Sequence, residues 1–72
     1  MAGSFRTGDR VEWDWGRGTA NARVEEILPR RVSRTIKGKR IRRNGSPERP
    51  ALLLRQEDGG RVLKLASEVR KA

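Results

Sequence analysis

Apolar and polar residues alternate strictly near the start of the chain, where Val11, Trp13 and Trp15 interleave with Glu12 and Asp14. A period of two excludes a helix and predicts a strand over Arg10 to Trp15 with one apolar and one acidic face. Gly16, Arg17 and Gly18 supply the backbone freedom for a reversal. Thr19 to Leu28 then reads as a second strand, with Ala20, Ala22 and Val24 on one side. Glu26 breaks that alternation and Ile27 resumes it, which predicts a bulge near Glu25. Pro29 ends the strand because it has no amide to donate. Both tryptophans lie on the apolar face and are expected to anchor the core with Val11, Val24, Leu52 and Leu54.

Beyond Pro29 the apolar pattern thins. Val32 and Ile36 before Lys37-Gly38-Lys39, and Ile41 after it, predict a hairpin that turns at Gly38 with sparse apolar residues on one face. With so thin a core contact, the arm is free to project from the body, to cover a sheet edge or to pair with another copy of the chain. Asn44 to Pro50 is a loop, with an Asn-Gly turn and two prolines. Ala51 to Gln56 is the most apolar run and predicts a central, well-buried strand. Glu57-Asp58-Gly59-Gly60 turns the chain into a returning strand, Arg61 to Leu65. Ala66 to Val69 reads equally as one helical turn or a last short strand. Residues 1–7 hold little pattern beyond Phe5 and form a loose lead-in to a domain of residues 8–72, with Phe5 packed over its end. Short strands at this spacing predict an all-β fold, a bent antiparallel sheet of about five strands closing into a small barrel with a projecting hairpin.

Composition narrows the function. Seventy-two residues make one domain, close to the smallest that a single core stabilises unaided, and leave no room for a cleft between domains. Cysteine and histidine are both absent. That removes disulfides, thiolate chemistry, the commonest general base and the usual zinc ligands. No enzyme activity, cofactor, metal site or small-molecule substrate is expected. The longest apolar run is Ala51 to Leu54, too short to cross a bilayer or to form a signal-peptide core, so a cytoplasmic chain without a membrane partner is expected.

Charge gives the one functional lead. The net charge of +9 is divided unevenly: residues 1–29 sum to −1, residues 30–50 to +8 and residues 51–72 to +2. The candidates for nucleic-acid binding are Arg30, Arg31, Lys37, Lys39, Arg40, Arg42, Arg43 and Arg49, with Arg55 as an extension. On a two-stranded ribbon such side chains can follow a phosphate backbone, and arginine adds bidentate geometry. A second reading stands beside it, that like charge keeps an exposed edge soluble. Arg34 shares parity with Val32 and Ile36, so it reads as a structural arginine paired with Asp9, Asp14 or Glu68. Glu12 and Asp14 lack any partner that would complete an acid–base or metal site. They read as a solvated strand face, paired with Arg23 across the hairpin. Self-association through the 30–50 arm, giving a homodimer, or a partner peptide bound along a strand edge, is the alternative to nucleic acid.

Gly8-Asp9, Val11, Trp13, Trp15-Gly16, Gly18 and Ala20, followed by RTIKGK at Arg34 to Lys39, Arg43-Asn44, Pro50-Ala51, Gln56, Asp58-Gly59, Val62-Leu63-Lys64 and Ser67-Glu68, resemble the hypervirulence-associated protein Tudor domain family of small bacterial and fungal proteins. The resemblance runs from Phe5 to Lys71 and implies a Tudor-like small β-barrel, related in shape to ribosomal-type KOW barrels. Asn21 stands where a glycine is expected in relatives, and asparagine tolerates positive φ better than most residues. Tudor barrels often hold methylated Lys or Arg in a cage of aromatic rings. Only Phe5, Trp13 and Trp15 are available here, and the core has the stronger claim on the tryptophans.

Overall fold

The computed structural model describes residues 5–72. β1 (Arg10–Trp15) and β2 (Gly18–Leu28) pair antiparallel across a two-residue turn, Gly16-Arg17, with Trp15 opposite Gly18. Gly16 takes a φ of 56°, the conformation a tight hairpin needs at its first turn position and one that a side chain resists. The register of β2 shifts between Val24 and Glu26, so the bulge falls at Glu25 and returns Ile27 to the apolar face. Asn21 lies within β2 opposite Glu12 and needs no unusual backbone.

β5 (Ala51–Arg55) pairs with β2 on one side and with β6 (Arg61–Leu65) on the other. A 3₁₀ turn, Ala66–Glu68, leads into β7 (Arg70–Lys71), which pairs with β1. Of the two readings of Ala66 to Val69, the helical turn holds, and the last short strand begins after it, at Arg70. The main sheet has five antiparallel strands in the order β6-β5-β2-β1-β7. β3 (Arg31–Ile36) and β4 (Lys39–Asn44) form a separate two-stranded sheet, which brings the total to seven strands. The fold is all-β, as the alternation and turn spacing predict. Their turn is Lys37-Gly38, with φ of 50° and 78°. Two successive positive φ values define the turn whose twist matches a hairpin.

β5 has apolar contacts on both faces, which explains its unbroken apolar run. On one face Leu52 and Leu54 join Val11, Trp13, Ala22, Val24 and Ala66, with Phe5, Ile27 and Val69 packed around them. On the other, Ala51 joins Leu63, Leu28 and Val32, and Ile36, Ile41 and Leu65 pack against that cluster. The second face corrects the expectation of a projecting arm. Val32, Ile36 and Ile41 share one side of the β3–β4 ribbon, and three apolar side chains in line suffice to seat it on the main sheet. Burying Val32 is worth about 1.5–3 kcal/mol, and the half-buried Ile36 and Ile41 contribute less each.

Of residues 1–7, residues 1–4 lie outside the described residues, while the half-buried Phe5 packs on the first cluster. The Gly8 amide donates to the Val24 carbonyl (2.7 Å), and the Val24 amide donates to Asp9 (2.9 Å). At the other end of the ribbon, Gly45 fits between three backbone segments. A Cβ there would lie 2.5 Å from the Leu28 oxygen and 2.7 Å from both the Ala51 nitrogen and the Arg30 oxygen. Its amide donates to the Arg30 carbonyl at 3.2 Å.

Candidate functional site

The ladder of β3 and β4 sorts the basic residues of the hairpin onto two sides. Directly opposed residues share a face. Arg31 with Asn44, Ser33 with Arg42 and Thr35 with Arg40 therefore make the outer face, and all six side chains are exposed. Val32 with Arg43, Arg34 with Ile41 and Ile36 with Lys39 make the inner face. Each arginine of the outer face stands opposite a neutral hydroxyl or amide residue and never opposite another arginine. Arg40 and Arg42, two residues apart on one strand, are about 6.8 Å apart along it. Arg31 is diagonal to Arg42, about 7–8 Å away. Among the described residues, no acid lies within ion-pair distance of these three.

The inner arginines are engaged. Arg34 pairs with Glu26 of β2 at 3.6 Å, which corrects the expected partners: Asp9 pairs with Lys71, Asp14 with Arg70 and Glu68 with Arg43. Arg43 Nε donates to Glu68 Oε1 at 3.2 Å, and the same oxygen accepts the Leu65 amide at 2.8 Å. Glu68 therefore ties the ribbon to the 3₁₀ turn and offsets the charge of Arg43. Lys37 and Lys39 are exposed at the hairpin tip, where Lys37 Nζ reaches over Gly60. Arg30 is exposed at the hairpin base, and Arg49 is exposed in the loop after a Ser46–Arg49 turn, off the ladder.

Two further expectations need correction. Glu12 stands opposite Asn21 rather than Arg23, and both Glu12 and Asp14 are held by Arg70 of β7, at 2.8 and 3.0 Å. Hydrogen bonding and charge attraction from Arg70 hold the Asp14 carboxyl below its ordinary pKa, and the Arg70 guanidinium is raised in turn. Trp15 is 69% exposed and is not a core residue. β1 and β2 run past their neighbours at this end: β5 pairs only from Arg23 onward, and β7 only with Val11 and Glu12. Nothing in the sheet stands beside Trp15, and its direct partner Gly18 has no side chain.

Trp13, only 6% exposed, already has the Lys64 ammonium 5.8 Å from its ring centroid. Phe5 has Lys71 at the same distance. Two of the three rings that would build a cage for a foreign cation are thus faced by the chain's own lysines, and Trp15 alone stands open to solvent. Among the described residues, no three His, Cys, Asp or Glu side chains gather as metal ligands, and no helix is long and apolar enough to cross a membrane.

The main sheet holds a second basic feature that inspection of the chain does not suggest. Arg10 opposes Arg23, Arg23 opposes Arg55 and Arg55 opposes Arg61, a row across four adjacent strands. The four residues come from two hairpins, Arg10 with Arg23 and Arg55 with Arg61, and only the pairing of β2 with β5, in the register on one side of the Glu25 bulge, joins the two pairs into one row. Arg61 is neutralised by Glu25 through Nε–Oε1 at 2.8 Å and Nη2–Oε2 at 3.4 Å, which also lowers the Glu25 pKa.

The sequence profile described as Hypervirulence associated proteins TUDOR domain matches residues 8–69. The chain belongs to that family. No curated protein and no solved structure matches it. A Tudor-like domain is a small binding module, and the two basic surfaces of this one are where its chemistry is concentrated.

Proposed function

We propose that this Tudor-like domain binds nucleic acid through phosphates, without catalysis, using the outer face of the β3–β4 hairpin. The observation that carries the reading is the set of Arg31, Arg40 and Arg42 on one solvent-facing side, unneutralised and stepped by about 7 Å, with hydroxyl or amide side chains opposite them. Two axial steps of one duplex strand cover a similar length, about 6.8 Å. Guanidiniums and neighbouring hydroxyls are the groups that bind phosphate oxygens and fix register without reading bases. Lys37 and Lys39 add charge at the exposed tip, Lys39 from the inner side of the last rung, while Arg34 and Arg43 hold the ribbon in place.

The test is fluorescence anisotropy of labelled duplex and single-stranded oligonucleotides across a salt series. With five phosphate contacts on a duplex, log affinity falls against log salt with a slope of about −4.5. The variant Arg31→Gln, Arg40→Gln, Arg42→Gln should bring the slope to about −2. Arg43→Gln should leave the slope near the native value and lower stability by about 1 kcal/mol or less, as expected of a partly exposed ion pair. A native slope near zero, or a triple variant that binds like the native chain, overturns the reading.

A further inference from the structure

A second basic surface, a concave one, lies on the main sheet, on rungs outside the β3–β4 ladder. Arg10, Arg23 and Arg55 line a cavity of about 330 Å³ together with Asn21, Gln56 and Glu57. Neighbouring strands are about 4.8 Å apart, so Arg10 and Arg55 spring from backbones about 9.6 Å apart with Arg23 between them, a span that three long side chains can close on one tetrahedral anion. Like charges placed directly opposite each other in a sheet are destabilising. The chain relieves that repulsion at Arg61, through Glu25, whose charge also attracts Arg55; among the described residues no acid lies within ion-pair distance of Arg10, Arg23 or Arg55. The hairpin handles its charge differently, with every outer arginine opposite a neutral residue. Repulsion left standing in a hollow is what a bound anion would remove.

We infer that this hollow is a binding pocket for a phosphomonoester, carried by the 5′ end of a nucleic-acid strand or by a free nucleotide. Three guanidiniums against the one carboxylate of Glu57 leave a surplus of two positive charges, which suits a dianion. The side-chain amides of Asn21 and Gln56 add neutral donors and acceptors at the same wall. The volume suits a nucleotide-sized group, and a duplex is far too wide to enter it. The inference goes beyond the hairpin reading and does not depend on it.

The decisive experiment uses the full chain, with inorganic phosphate, adenosine 5′-monophosphate, and one single-stranded oligonucleotide carrying either a 5′-phosphate or a 5′-hydroxyl. Ionic strength is held constant with chloride. Phosphate or the nucleotide at a hundred times its dissociation constant should raise the melting temperature by on the order of 10 °C. Arg23→Gln and Arg55→Gln should each weaken binding about ten- to a hundredfold. Without anion Arg23→Gln should melt no lower than the native chain, because it removes like-charge contacts with both Arg10 and Arg55. A purely structural arginine would instead lower the melting temperature when replaced. Binding of the free nucleotide alone identifies a small-molecule ester, and preference for the 5′-phosphorylated oligonucleotide identifies a strand terminus. The hairpin triple variant should retain this binding, which separates the two sites. No phosphate-specific stabilisation, or undiminished binding by both single variants, overturns the inference.

Discussion

Gly45 offers the sharpest test of how the hairpin is held. Its φ is not in the left-handed region, so conformational freedom is not what the position requires. Space is: Gly45→Ala would place a methyl group 2.5 Å from the Leu28 oxygen and 2.7 Å from the Ala51 nitrogen and Arg30 oxygen. All three are backbone atoms of the β2 exit and β5 entry, so no side-chain rotation relieves the overlap. Overpacking in a tight site costs about 1–3 kcal/mol, and separating the segments also strains the Gly45–Arg30 hydrogen bond, worth about 1 kcal/mol. A loss of about 3 kcal/mol is expected, from a total of roughly 4–11 kcal/mol for a chain of this length. The melting temperature should fall by about 12–24 °C. Urea and thermal unfolding followed by tryptophan fluorescence, in a Trp15→Phe background that leaves buried Trp13 as the reporter, measure it. Gly18→Ala is the control, because nothing lies within 4 Å of a Cβ there and the backbone is unstrained. A Gly45→Ala protein within about 1 kcal/mol of the native chain would refute the close backbone approach and with it the seating of the ribbon.

The two tryptophans should separate cleanly: Trp13→Ala should cost about 3–5 kcal/mol by emptying the core, and Trp15→Ala less than about 0.5 kcal/mol, read from the same denaturation curves. Equal losses would return Trp15 to the core. Acid sensitivity follows from the carboxylates held down by arginine. Glu25 and Asp14 titrate below their ordinary values of 4.5 and 3.8, so their contribution is complete above those values and is lost as pH falls through the folded-state values. Melting curves from pH 7 to pH 2 should show a steeper acid limb for the native chain than for Arg61→Gln, Arg70→Gln, and parallel profiles would count against both pairs.

Local rules made much of the fold legible. The period of two at Val11 to Trp15, the glycine at the first reversal, the interruption at Glu26 and the amide-less Pro29 each report a steric or hydrogen-bonding constraint within a few residues. Strand positions, turns, the bulge and the buried β5 could therefore be read directly, and so could the confinement of positive charge to residues 30–50. The family resemblance on the residues from Gly8 onward agrees with the profile match over 8–69. The candidate site was legible only in part. Parity separates Arg34 from Arg40 and Arg42, but it gives Arg43 no partner, because Glu68 is 25 residues away.

The sequence by itself determined an all-β, strongly basic domain with no histidine or cysteine chemistry, since side-chain period, turn stereochemistry and formal charge are properties of short stretches. Tertiary structure decided which charges remain available. Arg43 and Arg70 found acids across the molecule, and Arg10, Arg23 and Arg55 came into line only through the pairing of three strands. It also decided that Trp15 is left in solvent, because strand overlap ends before it. Register and overlap depend on contacts between distant segments, and the free energy that fixes them comes from burying Leu52, Leu54 and Leu63 together rather than from any one stretch of chain.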